Sequence, residues 1–277
     1  MRKFLRFPGF KTKAVTLSYD DGVAADRRLI DIMVKNGIKG TFNLCSGIME
    51  SDNSPNRISV EEAKDLYLKN GMEIAIHGER HGFWAREPEI DGIIDALNDR
   101  QKHERNFGGF IRGMAYPNGS ASVSDGIVCA LEKIGIIYGR TTTSTLRFAM
   151  PTEWLRWNPT CHHKDAKLGE LLNAFLKRNP NTDYDKYPVL FYLWGHSYEF
   201  NNDNNWEIIE EFCEKISGKE DTWYATNMEI CEYVKAYEQL IYDVDNTMVK
   251  NPTVIDLYVN YSGKETFIPA GQTVKIN

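Results

Sequence analysis

The segment Leu17-Ser18-Tyr19-Asp20-Asp21-Gly22 decides how the rest of the chain is read. Residues 14–19 form a short apolar and β-branched run that reads as a buried strand, and the run ends on two carboxylates and a glycine. Parallel α/β folds gather their chemistry at the carboxyl ends of strands, so a strand ending this way marks an architecture and a site together. Successive side chains of a strand point to opposite faces. Asp20 and Asp21 are therefore expected to take different tasks, one binding a cation and the other free to act as a base.

Working outward, short β-branched or aromatic runs alternate with longer amphipathic stretches. Further strands are predicted at 39–43, 72–76, 112–116, 136–139, 155–160, 189–194 and 222–225. Helices are predicted at 24–36, 59–70, 88–107, 122–134, 165–178, 206–216 and 228–241. This alternation is that of βα units around a parallel sheet. Asn36-Gly37 and Asn70-Gly71 supply residues that tolerate the left-handed conformation closing a helix, and Ser59 with Glu62 has the spacing of a capping box. No repeat, low-complexity tract or Pro-rich linker divides residues 1–250, which are read as one domain. Runs at 254–259, 266–269 and 273–276 look like short strands around Ser-Gly and Ala-Gly turns. Residues 251–277 are too few for a core of their own and are read as a small β appendage on the larger unit.

Composition narrows the function classes. The chain has 277 residues, 42% of them hydrophobic, with a formal net charge of -6. A net negative charge argues against nucleic acid as a partner, because phosphate backbones are bound through an excess of Lys and Arg. No stretch approaches the roughly 18 uninterrupted apolar residues of a spanning helix, and residues 1–13 turn polar before any run of secretory length develops. The five cysteines, Cys45, Cys129, Cys161, Cys213 and Cys231, are odd in number, widely spaced and without a CxxC pair, which reads as reduced thiols. A cytoplasmic protein is expected, and oligomeric state is not legible.

The other predicted strands also end on chemistry. The third runs into His77-Gly78-Glu79-Arg80-His81, the fourth into Tyr116-Pro117-Asn118-Gly119, and the seventh into Trp194-Gly195-His196-Ser197. His77 and His81, four apart, can converge on one ion in a loop or a helical turn, and with Asp21 they make a His-His-Asp set that leaves positions open for water and substrate. Each piece alone has a bland alternative: Asp-Asp-Gly after a strand is commonly a turn, and an HxxxH pair can be surface or core. Their order along the chain is far more restrictive.

That order resembles the polysaccharide deacetylase family with its NodB-type domain, the fourth family of carbohydrate esterases. Leu17 to Gly22 looks like the family's TFDDG motif, His77 to His81 like H(S/T)xxH, Tyr116-Pro117-Asn118-Gly119 like the RxPYG region and Leu193-Trp194-Gly195-His196 like the final LLH region. The resemblance implies a distorted (β/α) barrel of seven to eight parallel strands. It implies Asp20 as general base, Asp21, His77 and His81 as ligands of one divalent cation, and His196 as general acid. Zinc is the first choice of metal, with cobalt, manganese and nickel as alternatives.

The departures are as informative. Ala115 stands where the family has an arginine, and Asn118 stands where it has a tyrosine. Arg112 is a poor stand-in, because three positions along a strand reverse the face. Arg140, at the end of the fifth predicted strand, is the better partner for Asp20, against the alternative of a structural arginine. The family's DxxDW segment has no clean match. Trp154 and Trp157, followed by Pro159-Thr160-Cys161-His162-His163, occupy its region, where His163 or His162 could orient His196 or contact substrate, and a second metal site at Cys161-His162-His163 is the weaker reading. The backbone N–H of Asn118 is the oxyanion donor expected from a Pro-Asn-Gly turn, with Tyr116 beside it. Tyr198, past the end of the seventh strand, is the candidate for stacking on a sugar.

The expected activity is metal-dependent removal of an acyl group from the amide nitrogen of an N-acetylated carbohydrate. Two alternatives stay open: the same chemistry on a non-sugar amide or cyclic imide, and a catalytically weak, metal-containing carbohydrate-binding protein. The substrate is accordingly expected to be a carbohydrate or small amide.

Overall fold

The computed structural model describes residues 2–51, 54–182 and 186–276. Its centre is the strand Lys13–Asp20, buried along its whole length. A strand covered on both faces loses the alternation of a half-exposed one, which is why this stretch reads as a continuous run. It pairs in parallel with Val189–Gly195 on one edge, and with Gly40–Leu44 and then Thr222–Tyr224 on the other. From Gly40–Leu44 the sheet continues through Glu73–Ile76, Gly113–Ala115 and Tyr138–Arg140, all parallel. On the far side Cys161–His162 joins Val189–Gly195.

The sheet curls into a distorted barrel, as the resemblance implies, with helices outside it. Its two edges are bridged by one piece of chain. Trp157 pairs with Arg140 on one edge, and a few residues later Cys161 pairs with Leu193 on the other. The expected strand at 155–160 is therefore corrected: Trp154–Arg156 is a 3-10 turn, and only Cys161–His162 is strand. A segment spanning a gap between edges cannot keep one register, and Pro159 has no N–H for a ladder.

Other predictions differ less. The helix expected at 59–70 is Val60–Ala63 continued by a π-helical stretch, Lys64–Leu68. Ser59 does accept the Glu62 N–H, but Glu62 pairs with Arg27 instead of closing the capping box, which forms at Thr226 and Glu229. Gly37 and Gly71 adopt the expected left-handed conformation, with φ of 63° and 70°. Two short helices, Ser46–Ser51 and Tyr198–Asp203, carry no periodicity long enough to predict.

Two small antiparallel sheets complete the chain. Lys3–Arg6, Leu257–Tyr261 and Lys264–Ile268 form one, and Ile241–Tyr242, Met248–Lys250 and Thr273–Lys275 the other. Each draws strands from both sides of residue 250. Their apolar faces share a core with the helix Asn227–Glu238 and the start of the barrel, through Leu5, Phe7, Tyr233, Val249, Leu257 and Val259. No helix among the described residues is long and apolar enough to cross a membrane.

One buried group ties the barrel top together. Asp26, fully enclosed at the start of the first helix, accepts hydrogen bonds from Tyr67 Oη at 2.7 Å and from Ser197 Oγ at 2.5 Å. Burial pushes its carboxyl up to about 7 against these donors. Because the folded value lies above the unfolded one, the folded chain holds an extra proton between them. The contribution of Asp26 to stability is thus fully present below the unfolded carboxylate value of about 3.8 and is lost as pH rises to about 7. Urea unfolding across pH 4 to 8 should show Asp26→Asn flattening this decline, by on the order of 2–4 kcal/mol. An unchanged slope would exclude Asp26 as its source.

Candidate active site

Four strand ends meet at the carboxyl side of the barrel. Asp20 closes the central strand and is 2% exposed. Its buried carboxylate is matched by Arg140, whose Nη2 donates to both carboxylate oxygens while the guanidinium lies 4.5 Å over the Trp194 ring. Asn43 Nδ2 adds a donor to Oδ1 at 2.8 Å. Burial alone would raise the Asp20 carboxyl, but the charges of Arg140, His77 and His196 outweigh it and hold it at about 2. The group is therefore ionised throughout the neutral range. Arg140 is also fully buried, and its Nε and Nη1 have no hydrogen-bond partner among the described residues.

The alternation rule breaks at the next residue. The strand ends at Asp20, and Asp21 turns into the left-handed region at φ 80°, followed by Gly22 at 61°. This swings Asp21 back, so that both aspartates approach the same imidazole: His77 Nε2 is 3.8 Å from Asp20 Oδ2 and 3.8 Å from Asp21 Oδ1. His81 Nε2 lies 3.7 Å from Asp21 Oδ1. One donor atom each from Asp21, His77 and His81 falls within 4.8 Å of the others.

The orientation of these groups suits a cation. His77 Nδ1 sits 2.9 Å from the carbonyl of Ala115, which can only accept, so Nδ1 carries the proton and Nε2 presents its lone pair to Asp21. A backbone acceptor behind a ligating imidazole is the usual arrangement in metal sites. His81 is less constrained, its Nδ1 lying 3.4 Å from Asn118 Nδ2. Burial and the neighbouring His77 push the His81 imidazole down, favouring the neutral form that a metal requires.

The His77–His81 segment is a loop, and a helix holds it in place. Asp99, on Glu89–Phe107, accepts the backbone N–H of His77 at 2.9 Å and that of Ser46 at 2.8 Å. One turn earlier, Asp95 accepts from Arg80 N and Nε and from the Trp84 indole. Gly78, at φ 82°, has no room for a side chain: a Cβ would meet Asp95 at 2.7 Å. Sequence reasoning missed both aspartates. Their signal was a buried helical face reading Gly92, Asp95, Ala96, Asp99, His103, polar where an apolar stripe is expected.

His196 enters from the opposite side, its Nε2 3.8 Å from Asp20 Oδ2. Glu199, another residue not anticipated, organises it. Glu199 Oε2 lies 3.2 Å from the His196 backbone N, 3.4 Å from His196 Nδ1 and 3.1 Å from His162 Nε2. His162 Nδ1 accepts the Lys164 N–H at 3.1 Å, so a neutral His162 carries its proton on Nε2 and donates it to Glu199. The His162, His163 and Glu199 donor atoms are close enough for a second ion. The tautomer of His162, and Lys164 Nζ at 3.7 Å from Glu199 Oε1, instead make this a proton-bearing cluster. Cys161 takes no part, being packed in the apolar core.

Burial opposes charge on both partners, but the Glu199 hydrogen bond and the nearby aspartates raise the His196 imidazole. Glu199 itself is held well below the ordinary carboxylate range, because the donors from His162 and His196 outweigh its desolvation. His163 is 1% exposed, and its Nε2 lies 3.3 Å from Glu199 Oε2 without hydrogen-bonding geometry. Burial and His162 drop its imidazole to about 3. Its ring packs against Gly195, where a Cβ would lie 2.1 Å from Nδ1.

The remaining candidates divide. Asn118 is in the left-handed conformation at φ 55°, its side chain donates to the carbonyls of His81 and Gly82, and its own N–H meets no acceptor among the described residues. Tyr198 is partly exposed, its ring 5.2 Å from that of His196. Tyr116 is 1% exposed and its hydroxyl donates to the Leu155 carbonyl at 2.7 Å, which places its side chain beneath the site.

Residues 8–139 match the sequence profile of the polysaccharide deacetylases. The matched span is a little under half of the chain, and over it the chain resembles that family. Two solved structures share the fold. A Mycobacterium smegmatis protein assigned to the polysaccharide deacetylases superposes with a TM-score of 0.61 at 18% identity, covering 84% of this chain and 94% of that one. The Xyl-CE4 domain of a multidomain xylanase from the hindgut metagenome of Trinervitermes trinervoides gives 0.52 at 15% identity, covering 81% and 92%. The Streptococcus pyogenes deacetylase PplD, solved with acetate, is matched over 46% of this chain and 55% of its own length, with a TM-score of 0.43 at 18% identity. No curated protein sequence matches the chain.

The helix contacts behind His77 generate a prediction. In Asp99→Asn one of two carboxylate acceptors becomes an NH2 facing a backbone N–H, at a cost of about 1–3 kcal/mol. Zinc affinity, measured by competition with a chromophoric chelator, should fall by about 10–100-fold. Unaltered affinity would mean that the loop keeps its shape without Asp99.

Proposed function

We propose that this chain is a metal-dependent deacetylase that hydrolyses the acetamido group of an N-acetylated carbohydrate. The observation that carries this reading is the pairing of a three-donor set, Asp21, His77 and His81, with two further groups able to transfer protons, Asp20 and His196, on either side. A binding protein needs no such flanking pair.

Asp21, His77 and His81 would hold the cation, with zinc the first choice for two imidazoles and a carboxylate. When bound, it would supply Lewis acidity to a carbonyl oxygen and to water. Asp20, ionised and fixed by Arg140, is oriented to accept a proton from water entering between the two carboxylates. Its low basicity means that orientation and exclusion of solvent contribute more than proton affinity. The unspent N–H of Asn118 is the oxyanion donor. His196, with Nδ1 engaged by Glu199, keeps Nε2 toward the cleft to protonate the departing nitrogen. Its raised affinity for the proton favours the charged form this step requires.

Acetate release from an N-acetylglucosamine oligosaccharide tests the reading. Chelation should abolish it and zinc or cobalt restore it, while Asp20→Asn and His196→Ala should each lower kcat by about 10²–10⁴-fold. Turnover that persists in metal-stripped protein would exclude the mechanism, and ring opening of cyclic imides without acetate release would redirect the substrate assignment.

A further inference from the structure

Beside the candidate active site lies a groove of about 490 Å³ that the reaction described above does not use. It begins where that site ends. Thr141 and Ser120, two of its lining residues, directly follow Arg140 and Gly119. It continues past Thr143, Thr145 and Asn158 to Arg147. The lining is rich in hydroxyls and contains no aromatic ring, so it offers hydrogen bonds without a stacking platform.

The charges in the groove are not balanced. Glu153 and Arg156 both line it and pair with each other, and Arg156 also reaches Asp125. Arg147 is different: it is exposed at the end of the groove, and its guanidinium makes no hydrogen bond or ion pair among the described residues. Its backbone is nevertheless firmly held. The carbonyl of Arg147 accepts from Thr160 Oγ1 at 3.1 Å, and the preceding N–H of Leu146 donates to the Thr160 carbonyl at 2.9 Å. Leu146 adopts φ 53°, a conformation that a branched side chain reaches only at a cost of about 1–3 kcal/mol. The chain is thus forced into a strained turn whose result is a fixed base under an unengaged arginine.

We propose that this groove is a subsite for a sugar unit carrying a carboxylate, bound through Arg147, next to the N-acetylated unit at the catalytic centre. A planar guanidinium matches a carboxylate with two parallel hydrogen bonds. Thr141 and Thr145 already donate to Asn158 Oδ1 and to the Pro159 carbonyl, which leaves the Thr143 hydroxyl and the Asn158 amide nitrogen for the ring hydroxyls of the same sugar. The placement beside the catalytic centre rests on the deacetylase reading, whereas the preference for a carboxylate does not.

Titration calorimetry on the full-length protein separates the two. The probes are a hexasaccharide of alternating N-acetylglucosamine and glucuronic acid, and the same hexasaccharide with its carboxylates reduced to alcohols. The acidic ligand should bind on the order of tenfold more tightly. Arg147→Gln should remove that preference while leaving the neutral ligand's affinity and the thermal unfolding midpoint unchanged, and Arg147→Lys should restore part of it. Equal affinity for the two ligands, no binding of the acidic one, or a preference that survives Arg147→Gln would overturn the proposal. Preference without acetate release would instead refute the deacetylase reading and leave the subsite standing, and acetate release without preference would do the reverse.

Discussion

A carboxylate buried at the end of the central strand is the constraint on which this structure turns. Asp20 is 2% exposed, and an isolated charge there would not survive in the folded state. Its neutraliser, Arg140, is equally buried and comes from the edge strand Tyr138–Arg140, on the other side of the barrel interior. A buried pair of this kind adds little net stability, because desolvation offsets most of the attraction, but losing either partner is costly. The pair joins the end of the central strand to the edge strand across the barrel interior. Arg140 also bonds on outward, its carbonyl accepting the Tyr116 N–H, so the same residue serves the charge and the sheet.

Around that pair the site separates its titratable groups by environment. Asp20 is held ionised by cations, whereas Asp26, only six positions later, is driven toward the protonated form by burial among hydroxyls. Among the histidines, His163 is pushed toward neutrality, while His196, a few ångströms along the same cluster, is drawn toward its charged form by Glu199. Like groups with values pushed apart are what acid and base roles require. The geometry achieves this with few residues because Glu199 gathers several donors on one oxygen.

Much of this was legible in the sequence, for a physical reason: a strand that runs into charged or imidazole side chains announces both its end and its use. Asp20, Asp21, His77, His81 and His196 all lie at such ends, and the structure brings them together. Arg140 could be picked out as a partner for Asp20 by the same logic. Glu199, Asp95 and Asp99 could not, because a carboxylate on a helix is read as solvated unless the burial of its face is known. The strand predicted at 155–160 failed because local apolar content cannot distinguish a strand from a chain crossing between two sheet edges. The closing turn of Asp21 was hidden too, since its positive φ reverses the alternation that sequence periodicity assumes.

The pairing of Lys3–Arg6 with Leu257–Tyr261 carries a consequence for the order of assembly. On a ribosome the first of these segments emerges long before its partner exists, so the outer sheet is finished only after Ile268 has been made. Until then Phe4 and Leu5 wait without their apolar neighbours, whereas the parallel strands from Lys13 to Ile76 can already associate. Contacts between segments so distant along the chain form slowly. The nascent protein therefore passes through an interval in which the first parallel strands of the barrel can pair while its base remains open, and it is in that interval that a chaperone would find a surface to hold.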